Sequence, residues 1–244
     1  MKPNSANDII IIDETEPCPY LDGKIARMPL RMPVARITGE QADTRLELGH
    51  RRTGEFIYET QCPGCQACEP IRICAEDFSF SRNHRRVLNR GDRNLTTRRT
   101  RLIADQTRLD LFNHHRRERG LAKGDSNIDL EEYNWGFVRS CFDSFEFSYW
   151  LDDRLVGVAI CDQGQNSVSA VYTFYDPSLS HLGIGTYSLL NQIRHCQAQR
   201  LTYLYLGYYV QDSPHMNYKS RFVPNERLIN GQWQEFSTSA DRAE

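Results

Sequence analysis

The chain has 244 residues, of which 39% are hydrophobic and 25% charged, with a formal net charge of −2. That size buries a substantial core as one large domain or two modest ones, and the balance is that of a soluble globular protein. No apolar run approaches the roughly 20 residues of a membrane helix, and no basic-then-apolar leader opens the chain, so a cytoplasmic protein without a membrane partner is expected.

In chain order, residues 1–16 read as a frayed acidic lead holding a short apolar run at 9–12. Cys18 follows in the turn-prone Pro17-Cys18-Pro19-Tyr20. Short strand-like pieces at 55–58 and 71–74 flank Cys62-Pro63-Gly64-Cys65-Gln66-Ala67-Cys68, three thiols at strict two-residue spacing around a Pro-Gly turn. Such spacing lets sulfurs point at one centre, and Cys18 supplies a fourth ligand. In a reducing compartment eight cysteines point to thiols or metal thiolates, not disulfides. Zinc and an iron–sulfur cluster both suit four thiolates and are not separated by sequence. A redox dithiol is a third reading, but the βαβ setting it needs is missing. Cys74, Cys141, Cys161 and Cys196 read as ordinary buried residues.

Arginine then dominates. Of 30 basic residues only Lys2, Lys24, Lys123 and Lys219 are lysine. A GC-rich genome and a need for phosphate contacts predict this bias equally well. Position discriminates better, since residues 82–101 carry eight arginines against one acid, Asp92. A solvated helix face is the plain reading, but so many like charges repel one another unless a polyanion meets them. Without a DNA-reading unit that partner is RNA rather than DNA, with Arg82, Arg85 and Arg86 as candidate contacts. Helices are expected at 83–90, 109–119 and 130–141, with a polar segment at 120–127.

Strands follow at 145–151, 155–161 and 168–175, the first two joined by Asp152-Asp153 and the third ended by Asp176-Pro177. Leu182-Gly183-Ile184-Gly185-Thr186 opens an amphipathic helix through Tyr187, Leu190, Ile193 and Cys196. A buried strand at 202–206 and a short helix at 214–219 complete the pattern. Three meandering strands, a glycine loop, a helix and another strand resemble the order of the GNAT acyltransferase fold. The expected class is therefore mixed α/β (an α+β mixed sheet). A cysteine-rich part at 1–130 precedes a GNAT-like part at 131–244, with a boundary within 120–145 or a degenerate pair of such units. Gly183, Gly185 and Thr186 would expose N–H groups to a phosphate at the helix start, although a tight connection alone needs the same glycines. Clustered tyrosines around Tyr208 usually mean half-buried packing. Lys219 is the one lysine after Lys123, where a compact ammonium has survived a bias toward arginine.

Together these blocks resemble the Ate-type aminoacyl-tRNA–protein transferases, in particular the short bacterial Bpt branch. The resemblance rests on Cys18-Pro19-Tyr20-Leu21, the block from Cys62 to Arg72 and the block from Phe78 to Arg86. Further matches are Val171-Tyr172-Thr173-Phe174-Tyr175-Asp176-Pro177, Gly185-Thr186-Tyr187, Tyr205-Leu206-Gly207-Tyr208, Met216-Asn217-Tyr218-Lys219 and Gly231-Gln232-Trp233. One position departs: Gly120 stands where the family has a histidine, so no histidine role is carried over to it, and His114 and His115 are the neighbouring histidines left to substitute.

The resemblance implies transfer of an amino acid from a charged tRNA to the N-terminal amine of proteins beginning with Asp or Glu, which marks them for N-degron degradation. The donor is leucyl-tRNA in the Bpt branch and arginyl-tRNA in eukaryotic relatives; the short chain favours leucine. On this reading Lys219 and Arg221 meet the acceptor carboxylate, while Tyr208, Tyr175 and Asp176 orient amine and ester. The arginine segment and glycine loop hold tRNA, and no acetyl-CoA is expected. The competing readings are an acetyl-CoA-dependent GNAT enzyme and a non-catalytic zinc or iron–sulfur protein that binds RNA or senses redox state.

Overall fold

The computed structural model describes residues 8–121 and 127–237. The first part runs β1 (Asp8–Ile12), β2 (Thr15–Pro17), β3 (Ile25–Arg27), β4 (Leu30–Pro33), α1 (Gly39–Glu47), β5 (Arg51–Thr53), β6 (Phe56–Tyr58) and β7 (Glu69–Cys74). Next come α2 (Arg82–Asn94), β8 (Thr96–Arg101), α3 (Gln106–Glu118) and α4 (Leu130–Tyr133), the last continued by a π turn over Asn134–Val138. The remainder is β9 (Asp143–Leu151), β10 (Arg154–Gln163), β11 (Ser167–Tyr175), α5 (Ile184–Gln199), β12 (Tyr203–Tyr209), β13 (Asn225–Ile229) and β14 (Gln232–Phe236). Short 3-10 turns at Pro177–Leu182 and Asn217–Arg221 flank α5 and β12.

Eight strands form one mixed sheet in the order β14-β13-β7-β12-β11-β10-β9-β8. Strand β10 is its hydrophobic spine, buried over eight consecutive residues, because both faces are covered. Side chains alternate across it, Ala159 and Cys161 packing with α2 and α5 and Val158 and Ile160 with α3 and α4. Strands β9, β10 and β11 form an antiparallel meander, α5 crosses over, and β12 returns parallel to β11. The GNAT-like order expected from sequence is thus present. It also takes in β8, which pairs with β9, and α3, which packs on β10 and β11, although both precede residue 131.

The N-terminal strands follow another plan. A four-stranded sheet β1-β4-β6-β5 and a ribbon β2-β3 stand beside the main sheet, while β7 inserts between β12 and β13. Among the described residues this part has no second meander followed by a glycine loop and helix. The expected acidic lead is, from Asp8 onward, strand, with residues 1–7 outside the described residues.

Local chemistry explains most helix ends. Ser81 caps α2 and Asp105 caps α3 through side-chain oxygens that accept N–H groups of the first turn. Gly120, at φ 63°, closes α3 in the left-handed conformation that glycine adopts freely. That gives this residue a structural task. The polar segment at 120–127 lies mostly outside the described residues, since 122–126 are not described. The helix expected at 130–141 stops at Val138, and Arg139 is extended. The helix expected at 214–219 is a 3-10 turn shifted to Asn217–Arg221. Among the described residues no helix is long and apolar enough to cross a membrane.

Candidate active site at a strand fork

Parallel strands β11 and β12 pair only at Ser167–Tyr203, Val168–Leu204 and Ser169–Tyr205, although they run on to Tyr175 and Tyr209. Beyond Ser169 they part, leaving a fork with backbone groups that a substrate can meet. Gly207, at φ 86°, lies where β12 shifts register against β7, so the β12 arm bends at a residue without a side chain.

The β12 arm ends at Tyr208 and Lys219. Lys219 is 7% exposed, and its Nζ donates to Tyr208 O at 2.6 Å and lies 3.7 Å from Met216 Sδ. Burial, reinforced by the charge of Arg51 and opposed by Cys68, pulls this ammonium down to about 7. Tyr208 hydroxyl donates to Gly49 O at 3.3 Å, and its ring meets Tyr58 edge to face. The hydroxyl expected to orient substrate is therefore turned to the main chain, while the Tyr208 carbonyl holds Lys219. Arg221, two residues on, is exposed at the end of the turn and is not gathered with Lys219.

The β11 arm ends at Tyr175 and Asp176. Asp176 accepts from Ser178 N–H at 2.9 Å and Ser178 hydroxyl at 2.6 Å, pairs with Arg154 Nη1 at 3.0 Å, and lies 3.5 Å from His114 Nε2. Burial favours its protonation, but the Ser178 hydrogen bonds and the Arg154 and His114 charges outweigh that and hold the carboxyl below its ordinary range. Its position is that of a helix cap and ion-pair partner. His115 Nδ1 lies 2.9 Å from Tyr175 O and 3.2 Å from Tyr175 N. Burial, against the main-chain bond to Tyr175 and with help from Arg119 and His114, pulls His115 down to about 4, so the imidazole is neutral. The Tyr175 ring also stacks on the glycine loop, where a Cβ at Gly185 would meet it at 2.9 Å.

Gly183 starts α5 in the left-handed conformation at φ 69°, with no side chain capping the first turn, and Thr186 is exposed there. Arg82, Arg85 and Arg86 lie exposed on α2. Their surface continues to the glycine loop, because Arg90 Nη1 donates to His181 O, two residues before Gly183. Asp92, the one acid of the segment, is already engaged by Arg194 at 2.8 Å and Tyr187 at 2.9 Å. The surface therefore stays basic.

Cys18, Cys62, Cys65 and Cys68 are half-buried free thiols. The ribbon carrying Cys18 is tied to the triplet through Arg27, whose N–H points at Cys62 Sγ at 3.4 Å and whose carbonyl accepts from Gln61 N–H at 2.8 Å. Burial, and then the charges of Cys18, Cys62 and Cys65, push the Cys68 thiol up to about 12. Their chemistry suits a four-thiolate site, yet among the described residues no group of three such side chains is arranged to hold a metal ion.

Of the residues at the fork, His115 was visible in sequence only as one of two histidines able to stand in for the one replaced by Gly120, and Arg51 was not singled out. Arg51 reads as part of an ordinary charged pair, although consecutive residues of a strand face opposite sides and so must meet different partners. Arg52 lies buried against Asp162 at 2.8 Å, and Arg51 reaches Ser169 and Ala170 in the fork.

Residues 16–86 match the N-terminal region of the arginine-tRNA-protein transferase family and residues 107–229 its C-terminal region. The chain belongs to this family. It is 38% identical over 224 residues to the aspartate/glutamate leucyltransferase of Acinetobacter baumannii (strain ATCC 17978), covering 91% of this chain and 82% of that one. It is 35% identical over 218 residues to the protein of the same name in Chromobacterium violaceum, covering 89% and 90%. The crystal structure of FemX aligns at TM-score 0.48 and 9% identity over 77% of this chain and 64% of its own. The two matched family regions place this transferase's fork in the C-terminal region and its cysteine block in the N-terminal one.

Proposed function

We propose that the chain moves leucine from leucyl-tRNA to the α-amine of proteins that begin with Asp or Glu, in the cytoplasm, marking them for N-degron degradation. The observation that carries this reading is 38% identity over 91% of the chain to a protein named aspartate/glutamate leucyltransferase. The fork supports it, since one arm ends in a buried ammonium and the other adjoins a basic surface and an uncapped helix start.

The acceptor nitrogen attacks the aminoacyl carbonyl carbon, the bond to the tRNA ribose oxygen breaks and an amide forms. The proton lost by the amine goes to the departing oxygen. An α-amine with a pKa of about 7.7–8.0 needs only a modest push from a base near neutral pH. The ester is already activated, so holding two large substrates in register is the main task. Lys219 is assigned to the acceptor side-chain carboxylate, with Arg221 at the exposed rim. Tyr208 fixes Lys219 through its carbonyl. Tyr175, held by His115 and anchored through Asp176, lines the opposite arm beside amine and ester. Arg82, Arg85 and Arg86 take tRNA phosphates, and Gly183, Gly185 and Thr186 receive the 3′ end.

Zinc or an iron–sulfur cluster would need Cys18, Cys62, Cys65 and Cys68 drawn closer together than they stand; bound there it would tether the N-terminal ribbon, and no step of the transfer passes through it. Visible absorbance after anaerobic purification, set against elemental zinc, separates the two.

Incubation with leucyl-tRNA, arginyl-tRNA or acetyl-CoA and an Asp-starting peptide tests the donor. Label arriving from leucyl-tRNA alone is expected. Label from arginyl-tRNA alone would change the donor, acetylation without tRNA would change the reaction class, and tight RNA binding without product would leave a binding module.

A further inference from the structure

Two cations from opposite halves of the chain, Arg51 and Lys219, border the fork, and among the described residues neither is hydrogen-bonded to an acid. Gly49, at φ 82°, turns the chain from the end of α1 into β5, a conformation glycine adopts without strain. Arg52 anchors that strand against Asp162, which directs Arg51 to the other face. Arg51 Nη1 donates to Ser169 Oγ at 2.8 Å and Nη2 to Ala170 O at 2.9 Å, at the point where the β11–β12 ladder ends. On the β12 side the guanidinium packs against Gly207, where a Cβ would meet Nη2 at 3.2 Å.

The partners of Arg51 and Lys219 are one hydroxyl, two main-chain carbonyls and a thioether, none of them an acid. Elsewhere the chain neutralises its buried guanidinium groups, Arg52 with Asp162, Arg72 with Glu47 and Glu226, and Arg108 with Glu146. Two like charges in a half-buried place are costly unless an anion joins them. A guanidinium has five N–H donors, and two hydrogen bonds leave Arg51 with three more. Arg51 is partly exposed whereas Lys219 is buried, so an arriving anion meets the guanidinium first.

We infer that Arg51 determines acceptor specificity by taking, together with Lys219, the side-chain carboxylate of an N-terminal Asp or Glu. This rests on the acidic-acceptor reading above. The planar fork of arginine matches a carboxylate with two parallel bonds. An amide of the same shape would leave both cations without their counter-charge, which is how Asp is told from Asn. tRNA phosphates have their own surface on α2, continuous with the glycine loop through Arg90 and His181.

The test compares wild type, Arg51→Gln and Arg51→Lys with leucyl-tRNA and peptides starting with Asp, Glu or Asn, with thermal melts to establish folding. Arg51→Gln is expected to raise KM for the Asp and Glu peptides by about tenfold or more, on the scale of a charge-assisted bond. It should leave KM for leucyl-tRNA unchanged and shrink the Asp-over-Asn preference. Arg51→Lys keeps a cation against Ser169, is expected to fold even if the glutamine variant does not, and should recover part of that preference. An unchanged Asp-over-Asn ratio in the folded variants, or a rise in the leucyl-tRNA KM instead, overturns the assignment of Arg51. Failure of wild type to label either acidic peptide sinks the acidic-acceptor reading itself, and this inference with it.

Discussion

Lys219 Nζ donates to the main-chain oxygen of Tyr208 at 2.6 Å, so the last residue but one of β12 positions a buried ammonium from the following turn. Burial lowers this group to about 7 from its ordinary 10.5. Between those values the unfolded chain binds the extra proton, so the Lys219 contribution makes stability rise with pH from about 7 to 10.5 and is most unfavourable below 7. Lys219→Met is therefore expected to be more stable than wild type at pH 6, by about 2–4 kcal/mol, with the difference vanishing near pH 10. Denaturant unfolding across this range checks it. The same variant should lose transfer to acidic acceptors, which would identify Lys219 as a residue kept for function at a cost to stability.

The ion pair of Arg52 with Asp162 joins β5 to the spine of the main sheet, and Ser144 hydroxyl also donates to Asp162 at 2.6 Å. Removing one member leaves an uncompensated buried charge. Asp162→Ala is expected to cost about 3–5 kcal/mol in denaturant unfolding. Because Arg52 anchors the strand that carries Arg51, residual folded protein should also discriminate poorly between Asp and Asn.

A Cβ at Gly91 would fall 2.1 Å from the Tyr187 ring, where α2 crosses α5. Alanine adds up to about 1 kcal/mol of helix propensity, but the ring must move and release its hydrogen bond to Asp92. Gly91→Ala should be net destabilising by about 1–3 kcal/mol, read from the urea midpoint.

Arg85 and Arg86 carry no carboxylate partner in the described ion pairs and lie on the exposed face of α2. Replacing both with Glu is expected to raise KM for leucyl-tRNA and leave the peptide KM unchanged. The slope of log affinity against log salt should become shallower by about one for each phosphate that the variant no longer neutralises.

The C-terminal half was legible because its signals are local. Alternation marks β9 to β11, Asp152 supplies the turn at φ 52°, and Gly183 and Gly185 open α5. In the N-terminal half the pieces expected at 55–58, 71–74, 83–90 and 109–119 are β6, β7, α2 and α3, but their pairing was not legible, because the elements are short and their partners distant. The isoleucines of β1 resemble a loose lead until β4 pairs with them, and β7 joins the sheet only through β12 and β13. The helix from Leu130 ends early in a π turn, where Gly136 O accepts from Gly54 N–H, a bond no local pattern announces.

The site divides the same way. Lys219 and Tyr208 were visible as an isolated lysine and a tyrosine cluster, and the structure joins them. That the Tyr208 hydroxyl is spent on Gly49, and Asp176 on Ser178 and Arg154, follows from tertiary contacts and redirects the roles read from sequence. Arg51 was hidden because a three-residue strand has too little periodicity to separate its two arginines.

Mass spectrometry of an Asp-starting protein incubated with the purified chain and leucyl-tRNA, beside its Asn- and Ala-starting variants, reads the transfer itself. One added leucyl residue, joined by an amide to the α-amine, is expected on the Asp-starting protein and on neither variant. Leucine on all three equally, or on none while the protein binds tRNA, would contradict the proposed function.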